Sequence, residues 1–410
     1  MLWITLLLCL SWPGLALAGL EADSLAVVAA LDRLPAEERL PFLHSEAHAK
    51  LRHDPRLALA VARLHLAEAD AWDDAGARNQ ALMDIGIVHY FLGDYRNALR
   101  RYEEALVIAE ELGDEVLTAD AVNNIGILYF VWGEHDLALE HYLRALSLRL
   151  ETDDPGGAAS CYNNIAGVHH TAGRHDSALD QYRRALALYR EVGNRTYEAN
   201  TLNNIGLVLH EQGLYDEAMA DLEQALALER ELDSPYDEAL SLNNMGMVRA
   251  KQGRLEEARR LFEEALAIRR EIDDRQGESV SLQLLGTALV EGGDVDGGIH
   301  LLQEALSIAR ELEVRELIRD DLLALAEAWE AAGRHDRALA FFRQYKEAHD
   351  AMFDEARARQ VAAAEARFEV DLKDREIAGL RREAEFQEFR RRIMMLGAGL
   401  SAIIMILLWN

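Results

Sequence analysis

The sequence predicts an all-α protein: a right-handed superhelix of antiparallel helix pairs, followed by a long helix and one transmembrane helix. Three observations lead to this prediction. Half of the 410 residues are apolar but only 7% are aromatic, and the strong helix formers Ala, Leu, Glu and Arg are abundant. Short motifs recur every 40 residues, which is typical of a repeat architecture. Residues 1–18 and 393–410 contain no charged side chain.

The acidic net charge limits the kinds of binding partner that we expect for this protein. The chain has 72 acidic and 43 basic side chains, a formal net charge of −29. Because affinity for nucleic acid comes mainly from Lys and Arg, we expect no nucleic-acid partner. A net charge of +1 on residues 371–392 leaves −30 on residues 19–370. This acidic surface either steers a basic ligand or keeps an extended array soluble. With 2 cysteines, a disulfide scaffold is excluded.

The first element, residues 1–18, is predicted to be a signal peptide. Residues 2–10 form an apolar run, residues 12–14 (Trp-Pro-Gly) break it, and residues 16–18 (Ala-Leu-Ala) provide a small-x-small cleavage site. No Lys or Arg lies near the start, which leaves an uncleaved amino-terminal anchor as the alternative.

Repeats occupy the middle of the chain. An Asn-Asn-apolar-small motif begins at Asn123, Asn163, Asn203 and Asn243, with weaker copies beginning at Met83, Gln283 and Leu323. A glycine keeps the same register at Gly93, Gly133, Gly173, Gly213, Gly253, Gly293 and Gly333. This spacing predicts seven 40-residue units over residues 77–352. Residues 19–76 are expected to form an amino-terminal helical cap containing a degenerate repeat.

Each unit is predicted to contain two amphipathic helices. In the second unit one apolar stripe consists of Val122, Ile125 and Tyr129, and the next consists of Ala138, Tyr142, Ala145 and Leu146. Gly133 lies between the stripes, where a left-handed backbone conformation would end the first helix. The small side chains in the second stripe would let the paired helices approach closely.

These residues resemble a known signature. The order Val122-x-x-Ile125-Gly126-x-x-Tyr129, then Ala138-x-x-x-Tyr142-x-x-Ala145, is similar to the tetratricopeptide repeat (TPR), with Val where Trp is commonest. The 40-residue unit resembles the longer variant of kinesin light chains, Pins/LGN scaffolds and bacterial MalT-like regulators. The resemblance implies an α-solenoid that binds protein or peptide ligands in its concave groove.

The paired asparagines are the main candidate site. Asn is a poor helix former, so its recurrence within helices requires another reason, and its amide can both donate to and accept from a peptide backbone. In relatives with this pattern, the asparagine before the apolar residue holds the ligand backbone, which carries over to Asn124, Asn164, Asn204 and Asn244. Their neighbours Asn123, Asn163, Asn203 and Asn243 either share the groove or bridge adjacent helices. The alternative is an internal ladder in which the amides bind only one another or helix carbonyls.

His170 and His210 are 40 residues apart and complete the candidate peptide-binding face. We expect no metal at this pair, because no third ligand accompanies it at a recognisable spacing. The sequence contains no phosphate-binding glycine loop, His-Glu-x-x-His motif or nucleophile elbow, so we expect neither a cofactor nor an enzymatic activity.

Residues 353–392 are predicted to form a linker helix, because they contain no Pro and one Gly. Two heptad seams in this segment are out of phase, and a homodimeric coiled coil is one expectation for them. Residues 393–409 follow three arginines and would extend about 26 Å as a helix, at about 1.5 Å per residue. We predict a transmembrane helix there, with a buried terminal helix as the alternative.

Together the elements predict a single-pass protein of the bacterial inner membrane, with its repeat domain in the periplasm. The three arginines then lie on the outer side, against the positive-inside rule, but long domains translocate largely regardless of charge. The order of elements resembles the periplasmic sensor half of bacterial TPR diguanylate cyclases or histidine kinases. The expected function is a membrane-anchored binding module, either a scaffold or the sensory part of a receptor. The alternative is a truncated signalling enzyme whose output domain is absent from this chain.

Overall fold

A computed structural model describes residues 27, 29–31, 33–51 and 54–352. These residues form α-helices joined by short turns, and no β-strand occurs among them. The helices are α1 (Ala36–Lys50), α2 (Pro55–Ala71), α3 (Ala75–Phe91), α4 (Tyr95–Leu112), α5 (Glu115–Val131), α6 (His135–Glu151), α7 (Pro155–Thr171), α8 (His175–Glu191), α9 (Arg195–Glu211), α10 (Tyr215–Glu231), α11 (Pro235–Lys251), α12 (Leu255–Glu271), α13 (Arg275–Glu291), α14 (Val295–Glu311) and α15 (Arg315–Ala331). Residues 335–352 are also helical and are called α16.

Consecutive helices pack as pairs, and the pairs stack in chain order. Within a unit the first and second helices contact each other along their length, as α7 and α8 do. Each second helix then contacts the first helix of the next unit, and at several junctions consecutive first helices, such as α9 and α11, also touch. The first helices therefore lie on the inner side of the stack. The predicted all-α solenoid of helix pairs is confirmed.

Three predicted segments lie outside the described residues: the signal peptide 1–18, the linker helix 353–392 and the transmembrane helix 393–409. Among the helices that the structure describes, none combines the length and the apolar character needed to cross a membrane.

Turn chemistry explains why the helices end where they do. Helix α5 ends at Val131, and Gly133 follows in the left-handed region with φ 80°. This conformation costs glycine little because it has no Cβ. At the start of the same helix the Asp114 side chain accepts a hydrogen bond from the Leu117 amide, which pairs an otherwise unsatisfied helix N–H group.

The two helices of a unit approach closely at a small first-helix residue. A Cβ added to Gly126 would lie only 2.8 Å from Cε1 of Tyr142, so the tyrosine ring occupies the space that a larger side chain would need. Tyr142 is itself 2% exposed and Ala145 is fully buried. Tight packing at this point orients the rest of α5 and thereby its asparagines.

Candidate functional site

The candidate site lies on the first helices α5, α7, α9 and α11, where each helix carries one asparagine pair near its middle. The first asparagine of the pair is buried in the two later helices, with Asn203 5% and Asn243 4% exposed, and half-buried in α5 and α7. The second asparagine is half-buried in all four helices. The second asparagines therefore remain partly exposed to solvent.

The asparagine side chains form a ladder from unit to unit. Three of the four second asparagines donate a hydrogen bond backward to the first asparagine of the preceding unit, and the two partners are 41 residues apart. The bonds are Asn164 Nδ2 to Asn123 Oδ1 at 2.9 Å, Asn204 Nδ2 to Asn163 Oδ1 at 3.4 Å, and Asn244 Nδ2 to Asn203 Oδ1 at 3.2 Å.

Two of the first asparagines, Asn203 and Asn243, also bind forward into the next unit. Asn203 Nδ2 donates to Ser241 Oγ of the next unit at 2.6 Å and to Glu229 Oε1 of its own unit at 2.7 Å. Asn243 Nδ2 donates to Ser281 Oγ of the next unit at 2.9 Å. These bonds link stacked units and pair buried Nδ2 groups that would otherwise destabilise the fold.

The ladder stops where the sequence changes. Leu284 stands at the position that would donate to Asn243, and the Asn243 Oδ1 atom is buried with no hydrogen-bond partner among the described residues. At the other end Met83 stands at the position that would accept from Asn124 and offers no amide oxygen. The structure therefore joins six of the eight predicted asparagines by hydrogen bonds between neighbouring units, from unit two to unit five. Binding of a ligand by the second asparagines stays a prediction.

The two predicted histidines have different surroundings. His170 Nε2 lies 2.8 Å from Glu211 Oε2, and His175 Nδ1 lies 3.6 Å from the same oxygen. The His210 ring packs against Tyr215, with ring centroids 5.9 Å apart, and burial lowers the pKa of His210. The structure pairs His170 with Glu211 and His175, neither of which the sequence analysis placed beside it. The Glu211 carboxylate accepts a hydrogen bond from His170 and lies beside His175.

Two further groups were missed by reasoning from the sequence. Glu229 is 1% exposed at the joint between α10 and α11, and burial raises its pKa to about 7. The other group is a set of three histidines around Asp84, on the helices α1 and α2 that pack against α3. His44 and His48 stand four residues apart, a spacing that places both on one helix face and that signals a shared ligand.

Comparison with known proteins identifies the repeat. A tetratricopeptide repeat family model matches residues 78–151, 157–231 and 237–311, and a second tetratricopeptide repeat model matches residues 284–352. No curated protein matches this chain by sequence.

Solved structures share the fold at low sequence identity. The apo form of the quorum sensor NprR from B. thuringiensis is 18% identical with a TM-score of 0.57, over 80% of this chain and 97% of that chain. A Rap protein complexed with competence and sporulation factor is 17% identical, with a TM-score of 0.54, over 78% of this chain and 99% of that chain. The Rap conjugation gene regulator of plasmid pLS20, in complex with the Phr* peptide, is 17% identical with a TM-score of 0.52, over 78% of this chain and 94% of that chain.

The family models cover more than half of the chain, and they fall on the same helix pairs that the structure stacks into a solenoid. This chain belongs to the tetratricopeptide repeat family.

Proposed function

We propose that this protein binds an extended protein or peptide segment on the inner side of its solenoid. The row of asparagines on α5, α7, α9 and α11 is the observation that carries the proposal. We further propose that the chain acts as a scaffold or as the sensory part of a signalling receptor, anchored in the bacterial inner membrane with the repeats in the periplasm. No catalytic step is assigned to it.

The ladder hydrogen bonds fix the orientation of three second asparagines before a ligand binds. Each of Asn164, Asn204 and Asn244 uses its Nδ2 group to hold the preceding unit, which fixes the amide plane before any ligand arrives. The structure gives no protein partner for their Oδ1 atoms among the described residues. An amide oxygen held in this way can accept a backbone N–H with little loss of side-chain entropy on binding.

The similar structures also support the proposal that a peptide is bound. One of them is a complex with the Phr* peptide and another is a complex with competence and sporulation factor. Their solenoids and this one share the fold, so a peptide seated along the first helices is compatible with the architecture.

The test uses the full-length chain in detergent and a random-peptide phage library as the probe. The variant Asn164→Leu/Asn204→Leu removes two ladder amides but introduces the residue that the sixth unit carries as Leu284. We expect peptides enriched on the wild-type protein to bind this variant at least about 10-fold more weakly, since a lost hydrogen bond costs about 1 kcal/mol. Gln224→Leu, at an exposed position of α10, is the matched control and should bind as the wild type does.

Unchanged peptide binding by the double variant, with an unchanged circular dichroism spectrum, would contradict binding at this face. The membrane part of the proposal is tested separately with reporters fused after Asn410. A reporter that works only in the cytoplasm should be active there, whereas activity of an alkaline phosphatase fusion would show the opposite topology.

A further inference from the structure

Three histidines surround one buried carboxylate where α1, α2 and α3 meet. The Asp84 side chain on α3 is 2% exposed. His44 Nδ1 lies 3.0 Å from both of its oxygens, His48 Nε2 lies 3.1 Å from Oδ1, and His65 Nδ1 lies 3.0 Å from Oδ2. A carboxylate buried away from water is costly unless its oxygens are paired, and here imidazole groups supply that pairing.

Comparison with the other units shows that this cluster departs from the repeat. His65 is fully buried at a position where the next six second helices carry a small residue, namely Ala105, Ala145, Ala185, Ala225, Ala265 and Ala305. Asp84 stands where units two to five carry Asn124, Asn164, Asn204 and Asn244. Packing alone favours alanine and asparagine at these two positions, so the histidine and the aspartate need a different reason.

The geometry points to a site for a divalent transition-metal ion, such as Zn²⁺, bound by His44 Nδ1, His48 Nε2 and Asp84 Oδ1. These ligand atoms all lie within 4.8 Å of one another. In tetrahedral zinc sites, bond lengths near 2.0–2.1 Å put neighbouring ligand atoms about 3.3 Å apart. The histidine nitrogens therefore need only small shifts from their present distances to Asp84.

His65 acts as a positioning residue in this site. A carboxylate only accepts hydrogen bonds, so His65 Nδ1 donates to Asp84 Oδ2 and leaves Oδ1 to the metal. Hydrogen bonding of this kind to a ligating carboxylate orients it and is common in metal sites. Because His65 is fully buried, its ring is held in place by packing as well as by this bond.

The ligand set determines the class of ion and the way in which it would enter. Two imidazoles and one carboxylate suit Zn²⁺, Ni²⁺ or Cu²⁺, whereas Mg²⁺ and Ca²⁺ prefer oxygen ligands. The side chains of His44 and His48 are 35% and 42% exposed, which leaves the site open on one side to a water ligand. The ion replaces the protons that His44 and His48 now direct at Asp84, so binding shifts or releases those protons.

A metal at this site would connect α1 to α3. Helix α1 packs along α2 and touches α3 over a much smaller area. An ion shared by His44, His48 and Asp84 adds a link between α1 and α3. The site therefore predicts metal-dependent ordering of α1.

The experiment uses the full-length chain purified with a tag that contains no histidine. After treatment with EDTA and its removal, we expect ZnCl₂ titration to show one Zn²⁺ per chain, a higher melting temperature and slower hydrogen exchange in α1. Co²⁺ in place of Zn²⁺ should give the visible absorption of a site with imidazole ligands and low coordination number.

The variants use residues that the repeat itself accepts. Asp84→Asn introduces the residue of units two to five, and His65→Ala introduces the residue of the next six second helices, so both should fold. We expect Asp84→Asn and His48→Ala to weaken Zn²⁺ binding by about 100-fold or more, and His65→Ala by about 10-fold to 100-fold. His175→Ala, which alters the group around Glu211, should bind Zn²⁺ as the wild type does.

Two results would overturn the site. A wild-type chain that is folded but neither binds Zn²⁺ nor gains thermal stability from it would show that the histidines serve only to pair Asp84. Zn²⁺ binding that survives unchanged in both Asp84→Asn and His48→Ala would place the ion elsewhere in the chain.

Discussion

At the scale of single residues, the joint between units four and five contains a buried acid. Burial of Glu229 raises its pKa to about 7, and the nearby charge of Asp237 raises it further, against hydrogen bonds from Ser241 and Asn203 that lower it. The Oε2 atom of Glu229 is buried without a hydrogen-bond partner among the described residues. The ionised form is therefore poorly solvated in the folded protein, and the neutral acid is favoured.

The raised pKa gives a pH-dependent stability. An unfolded glutamate has a pKa near 4.5, so between about pH 4.5 and 7 the folded state binds more protons and stability falls as pH rises. Glu229→Gln should remove this dependence. Relative to the wild type, we expect the variant to be more stable at pH 8, by up to about 3 kcal/mol, and nearly equal at pH 4.5, as measured by urea denaturation.

The control for this prediction is Glu217→Gln, which replaces an exposed acid in the first turn of α10. It should leave the difference in stability between pH 4.5 and pH 8 unchanged. If Glu229→Gln shows the same loss of stability with rising pH as the wild type, Glu229 is ionised without penalty in the folded state.

The residues of the candidate site could be predicted only in part. The 40-residue period was sufficient to find the eight asparagines, because Asn is unusual within a helix. It did not indicate that Asn164 binds Asn123 of the preceding unit, since that contact depends on the angle between stacked helices. His65 and Asp84 each depart from the repeat pattern, but they lie on different helices, 19 residues apart, so their contact became apparent only in the structure.

At the scale of helices and turns, the turns within units and between units differ. Within units the left-handed residue is glycine, as at Gly133. Between units the corresponding residue is glycine at Gly113 and Gly193, but it is an acid at the other positions, and Glu313 has φ 55°. A residue with a Cβ is strained in this region, and Asp tolerates it better than Glu.

Glu313→Gly should therefore stabilise the protein. We expect a gain of about 0.5–1 kcal/mol, measured as an increase in the urea midpoint, because the relief of backbone strain exceeds the added flexibility of the unfolded chain. Ser307→Gly, at an exposed position within α14, is the control and should lose about 0.5–1 kcal/mol. A destabilised Glu313→Gly would show that the glutamate side chain makes a contact worth more than the strain.

The helices themselves were largely predictable. Apolar stripes such as Val122, Ile125 and Tyr129 recur with helical spacing, and the turn glycines mark the ends. The ion pairs on the outer surface were not predictable in detail. Arg230, for example, contacts both Glu238 of the next first helix and Glu264 of the next second helix, each at 2.6 Å. Long charged side chains have many rotamers, so their partners depend on the stacking geometry.

At the scale of the whole solenoid, each unit contacts mainly its neighbours in sequence. Stability in such a stack is approximately a sum of unit and interface contributions. Deletion of residues 195–234 removes α9 and α10 and joins Asn194 to Pro235, so α8 would meet α11 through the same type of joint. We expect this variant to fold, with unchanged helical content per residue by circular dichroism and a lower free energy of unfolding.

A deletion of half a unit is the matched control. Removal of residues 195–214 deletes α9 alone and would place α8 against α10, two second helices whose packing faces do not complement each other. We expect this shorter deletion to aggregate or to unfold at a much lower urea concentration. If both deletions fold equally well, the units are not the cooperative elements of this protein.

The asparagine ladder has a direction. Every donor lies in a later unit and every acceptor in an earlier one, from Asn244 back to Asn123. The inner face therefore presents a different order of polar atoms when it is followed from its two ends. A chain lying along it would meet one pattern in the parallel orientation and another in the antiparallel orientation, so a peptide and its reversed sequence would not be equivalent ligands.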